Sequence, residues 1–531
     1  MIYNKNNNWF YFLTEKIFIF FPYFEFSKFS LAIFKNLFFF DNLRQSLSNN
    51  YYVKTCCLKV FMENTWDVIC IGAGSAGLPL AIHVAQRNGK ILHIEADDRI
   101  GGTLHWSTGQ VAAAQTRLQK RMGIQDSPDE HYEDAQRIGK GKIDPTILRL
   151  FVDNAAATLD WFEDLGFCPA PNMPVAGENH EAYRTRRYLW GERGGLSFLE
   201  ILKPIYEKLL NERKITLLTE TRFTELITDN SGAVTGVKVI NKDGGEDIFS
   251  SKNIVLTSGG YASNKNEWEI NTPQYPFYSH CNPFSQGDGL RAARSIGADT
   301  GGGENFLCTF SGWLERSQDP LSIEFLMLSP KDRNIWEIFV DSNGKRFMQE
   351  DHPSIEYREH ALMKQPDMKM NIIFDDKILH NSSPISLLDF GDYKNKFGNH
   401  ENFIKAETIE ELAEKISVPV DNLIETICNY NAAVESKSDE EWNKFFLIRK
   451  IENPPFYAIR SNGFTIVSPA GLKVNDKLNV VDSTGGGIDN LYAAGEILGF
   501  GNTSGHGFVG GMSLTPAMTF GKILGENILK W

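Results

Sequence analysis

The sequence predicts an α/β fold: a buried parallel sheet, extended by an antiparallel meander and interrupted by an inserted α+β unit. Three observations carry this. A fully apolar run, Val68 to Ile71, reads as a buried parallel strand and leads into Gly72-Ala73-Gly74-Ser75-Ala76-Gly77. A helical stretch and a second apolar strand, Ile91 to Ile94, follow, with Glu95 at that strand's end. From about residue 326 to 460 charges are denser, glycine is rarer and helical periodicity dominates, before glycine-rich strand patterns return.

In the first motif Gly72 permits a tight turn, Gly74 lets backbone approach a pyrophosphate, and Gly77 lets the next helix pack on the strand. Ser75 and Ala76 belong to the same phosphate-facing loop. The helix is expected to run to about Asn88 and stop at Gly89, with Pro79 tolerated in its first turn. Glu95, with Ala96 beside it, is spaced to accept both hydroxyls of an adenosine ribose. The loop Gly101-Gly102-Thr103-Leu104-His105-Trp106-Ser107-Thr108-Gly109-Gln110 then separates two alternatives. An NAD site needs no such glycine- and hydroxyl-rich loop. A flavin adenine dinucleotide (FAD) site does, because ribityl and isoalloxazine are carried further from the adenosine. A Rossmann-type FAD-binding domain is therefore expected, with Gly102, Thr103, Ser107, Thr108 and Gly109 as further contacts.

From Asp126 to Leu165 the pattern is helical, and Arg184, Arg186 and Arg187 cluster ahead of Trp190, either to hold an anionic substrate or, as expected, simply to line the surface. Gly194-Gly195 opens a helix to Leu210. Short strands at 215–219, 222–227, 233–240 and 247–249 form the expected meander. Ile254 to Leu256 returns to the main sheet and ends in Thr257-Ser258-Gly259-Gly260. Domain bounds follow: 62–325 and 461–531 for the FAD-binding domain, 326–460 for a capping domain that closes over the flavin. Glycines at 499–511 precede a last helix from Met512 to about Leu529. Amides at its start, around Ser513 and Leu514, suit the flavin N1 and C2 carbonyl, which become negative on reduction.

Composition excludes several classes. The 531 residues suffice for two or three domains. A net charge of −13 argues against a nucleic-acid partner. Seven scattered cysteines without C-x-x-C argue against a disulfide framework or a metal site and suit a reducing, cytoplasmic compartment. No run of 18 apolar residues suggests a membrane span. Residues 1–61 differ from the rest, with about a third of the 37 phenylalanines and much Asn, Lys, Ile and Tyr. They read as disordered or as an over-extended start, with Met62 an ordinary beginning.

From Met62 onward the chain resembles the fumarate reductase and succinate dehydrogenase flavoprotein superfamily, which also includes 3-ketosteroid dehydrogenases. The resemblance rests on the two glycine loops, Gly287-Asp288-Gly289, Gly344-Lys345-Arg346-Phe347-Met348-Gln349-Glu350, Ala494-Gly495-Glu496 and the 499–511 stretch. It implies that adenine lies near Phe223 and that Ser258, Gly259, Asp288 and Glu496 adjoin the cofactor. The Arg346 and Glu350 spacing allows an ion pair, either joining the cap to the FAD-binding domain or facing the substrate. Some relatives attach FAD through a histidine where this chain has Thr103, and His105 lies two residues on, so non-covalent FAD is expected.

The resemblance has gaps where dicarboxylate chemistry would sit. The catalytic arginine of fumarate reductases corresponds to Ser354, their final arginine to Phe508, and their paired histidines to a stretch at 462–471 without histidine. A desolvated dicarboxylate without paired cations is costly. The C-terminal pattern is closer to ketosteroid dehydrogenases, although the tyrosine expected there is Gly507. In those enzymes an amide corresponding to Gly511 polarises a ketone. The expected reaction is hydride transfer between flavin N5 and the carbon β to a carbonyl of a small organic substrate, the carbonyl held by amides near Gly510 and Gly511. His352, Tyr357 and Arg358 are the candidate proton-transfer groups, with His506 the unassigned one in the FAD-binding domain. The electron donor or acceptor is open. A fumarate- or succinate-type reaction, a non-redox structural FAD, and amine or hydroxy-acid oxidation stand as alternatives.

Overall fold

A computed structural model describes residues 65–386 and 388–531. The expectations for residues 1–61 and for Met62 lie outside the described residues.

Six strands form the central sheet, in the order Asn479–Val481, Gly487–Ala493, Ile254–Leu256, Val68–Ile71, Ile91–Ile94, Ile215–Leu218. The first pair is antiparallel and all others are parallel. Every residue of the three strands Ile254–Leu256, Val68–Ile71 and Ile91–Ile94 is buried, which is why they read as unbroken apolar runs. From Val68–Ile71 the chain winds outward to Ile91 and Ile215, then reverses to Ile254 and Gly487. A crevice opens at the carboxyl ends where winding reverses, and Gly72, Glu95, Ser258 and Gly495 all follow such ends.

Ile215–Leu218 is a correction. Expected as the first meander strand, it pairs in parallel with Ile91–Ile94 as the sheet's edge. Only Ile215 is fully buried, and a half-exposed edge strand has the same pattern as a meander strand. The separate sheet is Thr221–Thr228, Val234–Asn241 and Glu246–Ser251, with Thr65–Trp66 added in parallel at its edge. The helix after the glycine loop spans Gly77–Gln86, and Asn88, at φ +62°, takes the left-handed turn expected of Gly89.

A second, antiparallel sheet runs Ile323–Phe325, Thr309–Leu314, Phe456–Phe464, Lys369–Asp375, Ile338–Val340, with Phe403–Ala406 also on Phe456–Phe464. Two of its strands precede residue 326 and one continues to 464. Arg346 and Glu350 do pair, at 2.7 Å, but Arg346 also reaches Asp439 at 2.7 Å and Lys444 lies 3.5 Å from Glu350, all four buried. The cluster joins the turn at 341–346 to the loop at 439–444 within this second unit. Neither expected role, bridge to the first sheet or contact with substrate, matches that placement. The charges compensate each other, and removing one would leave its partners unpaired in the interior.

The crevice depends on the turn at Gly72. At φ +104°, a Cβ there would lie 2.4 Å from the Thr257 carbonyl oxygen. The Gly72 carbonyl accepts from the Thr257 hydroxyl at 2.7 Å and faces His93 Nε2 at 2.9 Å. A carbonyl only accepts, so Nε2 carries the hydrogen, and His93 Nδ1 accepts from the Tyr206 hydroxyl at 3.0 Å. Burial pushes His93 down to about 4. An unfolded histidine keeps its value near 6.5, so below that pH the unfolded chain binds a proton that the folded chain refuses. Stability should therefore fall by about 1.4 kcal/mol per pH unit from this residue between pH 6.5 and 4, then level off. His93→Gln should lower stability at pH 7 and remove about that much of the slope. Urea unfolding at stepped pH measures it, and an unchanged slope would show that His93 does not titrate there.

Candidate functional site

The crevice is a cleft of about 790 Å³ open to solvent. Gly72, Gly74, Ser75 and Ala76 line it from the first loop; Glu95 and Ala96 line its far end; Gly102 and Thr103 come from the second loop. Phe223, Ser258, Gly259, Asp288 and Glu496 complete the expected set that the cleft brings together. Thr221, Thr257, Asn282, Phe284, Ser285 and Gly495 also line it, and sequence reasoning missed them as contacts. Most lie within a few residues of a recognised block, but nothing in their own spacing marks them.

The remaining expected contacts are placed elsewhere. Gly77 is a packing residue: a Cβ would sit 2.0 Å from the Gly72 oxygen and 2.9 Å from His93 Nε2. Ser107, Thr108 and Gly109 fold onto the turn at Gly194-Gly195, where the Gly195 amide donates to the Ser107 carbonyl at 2.8 Å and a Gly109 Cβ would lie 2.2 Å from Gly194. Ser513 lines a smaller cleft of about 280 Å³ with Glu496, Gly499 and Phe500, and Leu514 opens the last helix, Leu514–Asn527. Gly287 rather than Asp288 precedes the helix Asp288–Ser295; Asp288 instead pairs with Arg222 at 2.9 Å and Arg291 at 2.6 Å.

The first cleft fits FAD. Glu95 accepts from the Ala73 amide at 2.7 Å and the Asp97 amide at 2.8 Å, so the acid is tied to the glycine loop while lining the far end. Burial pushes its carboxyl up, against those amides. Backbone stands bare where a pyrophosphate would cross: the nearest atom to a Cβ on Gly74 would be Gly102 Cα, 4.0 Å away. No side chain caps the helix Gly77–Gln86, which leaves its first amides to an anion. The buried Ser258 hydroxyl, also in the lining, has no protein partner. His105 Nε2 lies 3.0 Å from the Ile100 carbonyl oxygen, whereas Thr103 lines the cleft.

A second cavity, about 430 Å³, is lined by Gln110, the loop 176–181, Tyr183, Tyr188, Phe508 and Gly510. No lysine or arginine is among its lining residues, but Glu178 and Glu181 are. His180 stacks on Phe508 with ring centroids 4.1 Å apart. Its Nε2 lies 3.5 Å from Glu359, whose side chain is buried on the helix Ile355–Met363. The Tyr183 hydroxyl donates to the Gly510 carbonyl at 2.5 Å. Gly511, at φ +81°, packs on Val111 and Ala112. Turn hydrogen bonds run from Met512 N to Val509 O and from Thr515 N to Gly511 O, and use neither the Gly510 nor the Gly511 amide.

Arg187 is corrected from surface to interior. It is fully buried, 2.6 Å from Asp126 and 3.0 Å from Asp134, with its guanidinium over the Tyr183 ring. The proton-transfer candidates also fall outside the second cavity's lining. His352 stacks on Tyr357, which is exposed, and its Nδ1 accepts from the Ser354 amide. Arg358 is buried against Phe310 and donates to the Leu328 carbonyl; burial lowers it to about 10. His506 packs against His360, which lies 3.6 Å from Glu356. Sequence reading passed over His180 because it stands in a loop of Pro and Asn, and its partner is distant in the chain. Among the described residues no helix is long and apolar enough to cross a membrane, and five cysteines are free.

The FAD binding domain family is matched over residues 67–514. A probable fumarate reductase of Shewanella frigidimarina (strain NCIMB 400) is 25% identical over 469 residues, covering 88% of this chain and 75% of its own. A vinyl phenol reductase of Lactiplantibacillus plantarum is 26% identical over 463 residues, covering 82% of this chain and 90% of its own. In fold, the chain resembles 3-ketosteroid Δ1-dehydrogenase from Sterolibacterium denitrificans, solved with 1,4-androstadiene-3,17-dione, with a TM-score of 0.69 and 21% identity over 88% of this chain and 99% of that one.

Two glycine substitutions separate packing from binding. Gly74→Ala adds a Cβ to open space and should leave the FAD-free protein's melting temperature near wild type while weakening FAD by about tenfold or more, or about 1.4 kcal/mol. Gly77→Ala should destabilise the protein itself by about 1–3 kcal/mol, since the Cβ meets backbone. Fluorescence titration with FAD and thermal melts of both variants check this; full FAD affinity in Gly74→Ala would contradict the assigned pyrophosphate path.

Proposed function

The chain belongs to the FAD binding domain family, which makes it an FAD-dependent oxidoreductase, and we propose that it acts on the CH–CH bond next to the carbonyl of a small uncharged compound. The carrying observation is the second cavity: Phe508 and Gly510 line it with two glutamates, and no lysine or arginine does. A dicarboxylate buried there would meet two carboxylates and no lysine or arginine in the lining, the nearest such cations, Arg137 and Lys140, being already paired with Glu181.

Bound FAD supplies hydride exchange with a carbon of the substrate. The chain's own residues supply the rest. The turn at Gly510 and Gly511 offers amides to the substrate carbonyl oxygen, which gains negative charge as the α-carbon loses its proton. One such fixed donor contributes roughly 3–4 kcal/mol to the barrier, and a neutral amide needs no counter-charge. Tyr183, bonded to the Gly510 carbonyl, keeps that peptide from rotating. Phe508 and Tyr188 give the cavity apolar walls that exclude water.

Several finer readings accompany this. FAD is held without a covalent bond, supported by His105 turning to Ile100. The unit around 326–460, built on the second sheet, caps the substrate side. Free cysteines suit a reducing, cytoplasmic setting. A separate electron donor or acceptor completes turnover.

Anaerobic mixing tests the substrate class. Cyclohexanone should bleach the oxidised flavin absorbance, whereas cyclohexane and cyclohexanol should not. Bleaching only by dicarboxylates, amines or hydroxy acids would overturn the neutral-carbonyl reading.

A further inference from the structure

Around the second cavity, several buried oxygens lack a protein partner. Asn179 Oδ1, Glu356 Oε2 and Glu359 Oε2 are each buried without a protein partner. Glu356 and Glu359 are three residues apart on one helix, so they share a face. Glu356 Oε1 meets Lys140 at 3.2 Å and His360 at 3.6 Å, and both of those side chains reach solvent. Glu359 Oε1 meets His180 Nε2, and His180 lines the cavity against Phe508. Carboxylate oxygens left without donors at this depth are costly unless protons or water fill them. Two carboxylates on one helix face, one met by a solvent-reaching lysine and histidine and the other by an imidazole at the cavity wall, are suited to handling protons.

We propose that His180 is the group that exchanges a proton with the substrate's α-carbon, and that Glu359 is the positioning residue that orients it. The proposal rests on the carbonyl-compound reading above and supplies the proton group that reading lacks. His180 Nε2 lies 3.5 Å from Glu359 Oε1, which leaves Nδ1 as the exchanging atom. In the deprotonating direction Nδ1 takes the α-proton. The C–H pair becomes the enolate double bond and the carbonyl oxygen takes the negative charge beside the Gly510 and Gly511 amides. In the reverse direction the imidazolium returns its proton to the α-carbon. No oxidant or reductant enters this half of the chemistry. Other charged and titratable groups around the dyad are Arg358 and Cys308, both facing Glu359, Glu181, held by Lys140 and Arg137, and Glu356 with His360.

The test uses acetophenone deuterated at its methyl group, with the oxidised holoenzyme in ordinary water. This ketone has an α-carbon but no β-hydrogen, so it cannot be dehydrogenated, and loss of deuterium read by NMR reports proton exchange alone. Wild type should wash out the label above the buffer rate. His180→Gln should slow washout by about 100-fold. Glu359→Gln should slow washout by about tenfold, and Glu359→Asp, which keeps a carboxylate, should restore part of the rate. A purely structural role for Glu359 would leave the two variants alike. His380→Gln, which removes an exposed histidine facing Asp376, should leave washout unchanged. FAD content and melting temperature verify folding, and His180→Asn gives a second reading if His180→Gln is unstable. No washout by wild type, or undiminished washout in a folded His180 variant, overturns the proposal. Cyclohexanone bleaching run in parallel keeps the two readings apart. Washout without bleaching leaves the dyad and removes the dehydrogenation. Bleaching unaffected by His180→Gln does the opposite.

Discussion

The rest of the site depends on one small knot of backbone at Gly72. Three neighbouring strand ends are tied there by short polar contacts: the Gly72 amide to the Ile94 carbonyl at 2.7 Å, the Thr257 amide to the Ile71 carbonyl at 2.8 Å, and the Thr257 hydroxyl to the Gly72 carbonyl at 2.7 Å. His93 closes the same carbonyl from below, and Gly77 lets the helix come near enough for all of this. Buried peptide groups must find partners, and here they find them across strands rather than along one. The consequence is that the following turn, Gly74 to Ala76, lines the cleft. Glu95 is fixed by the same knot, because one of its oxygens accepts from Ala73.

Short-range constraints of this kind were legible in the sequence. Gly72 and Gly77 sit where a Cβ would meet backbone, and Gly74 leaves its backbone bare to the cleft, three different uses of a missing side chain that the spacing already implied. Pairings that close over long separations were not legible. Arg187 sits in an arginine-rich segment that reads as surface, yet its two aspartates come from Asp126 and Asp134 and take it to the interior. Ile215–Leu218 could pair on either sheet, and only the parallel register with Ile91–Ile94 decides it. The second cavity draws on 110, 176–188 and 508–510, with Glu359 behind it, so no window of sequence contains it.

The two sheets handle charge differently. The cleft is lined by backbone, bare glycines and one tied acid, with Arg222 and Arg291 paired to Asp288. Inside the second unit, charges are buried in compensated groups, Arg346 with Glu350, Asp439 and Lys444, and Arg333 with Glu337 at 2.7 Å. Such groups contribute little net stability, but they are intolerant of losing one member, so they fix which loops meet. That rigidity matters because the helix Ile355–Met363, which presents Glu356 and Glu359, follows directly after Glu350 and Asp351. Asp351 itself accepts from the Phe445 and Phe446 amides at 2.8 and 2.7 Å.

Backbone recognition also explains why the motifs identify the cofactor better than the substrate. A backbone amide polarises any carbonyl placed against it, so the one proposed at Gly510 or Gly511 would carry no information about the rest of the molecule. Selectivity must come from what surrounds it, which here is Phe508 on His180, Tyr183 and Tyr188, and the acidic loop at 178–181. A guanidinium in place of Phe508 would stand against that loop and be drawn to Glu178 or Glu181 as readily as to a substrate carboxylate. The phenyl ring instead stacks flat on the imidazole, leaving the ring edge with Nε2 to Glu359.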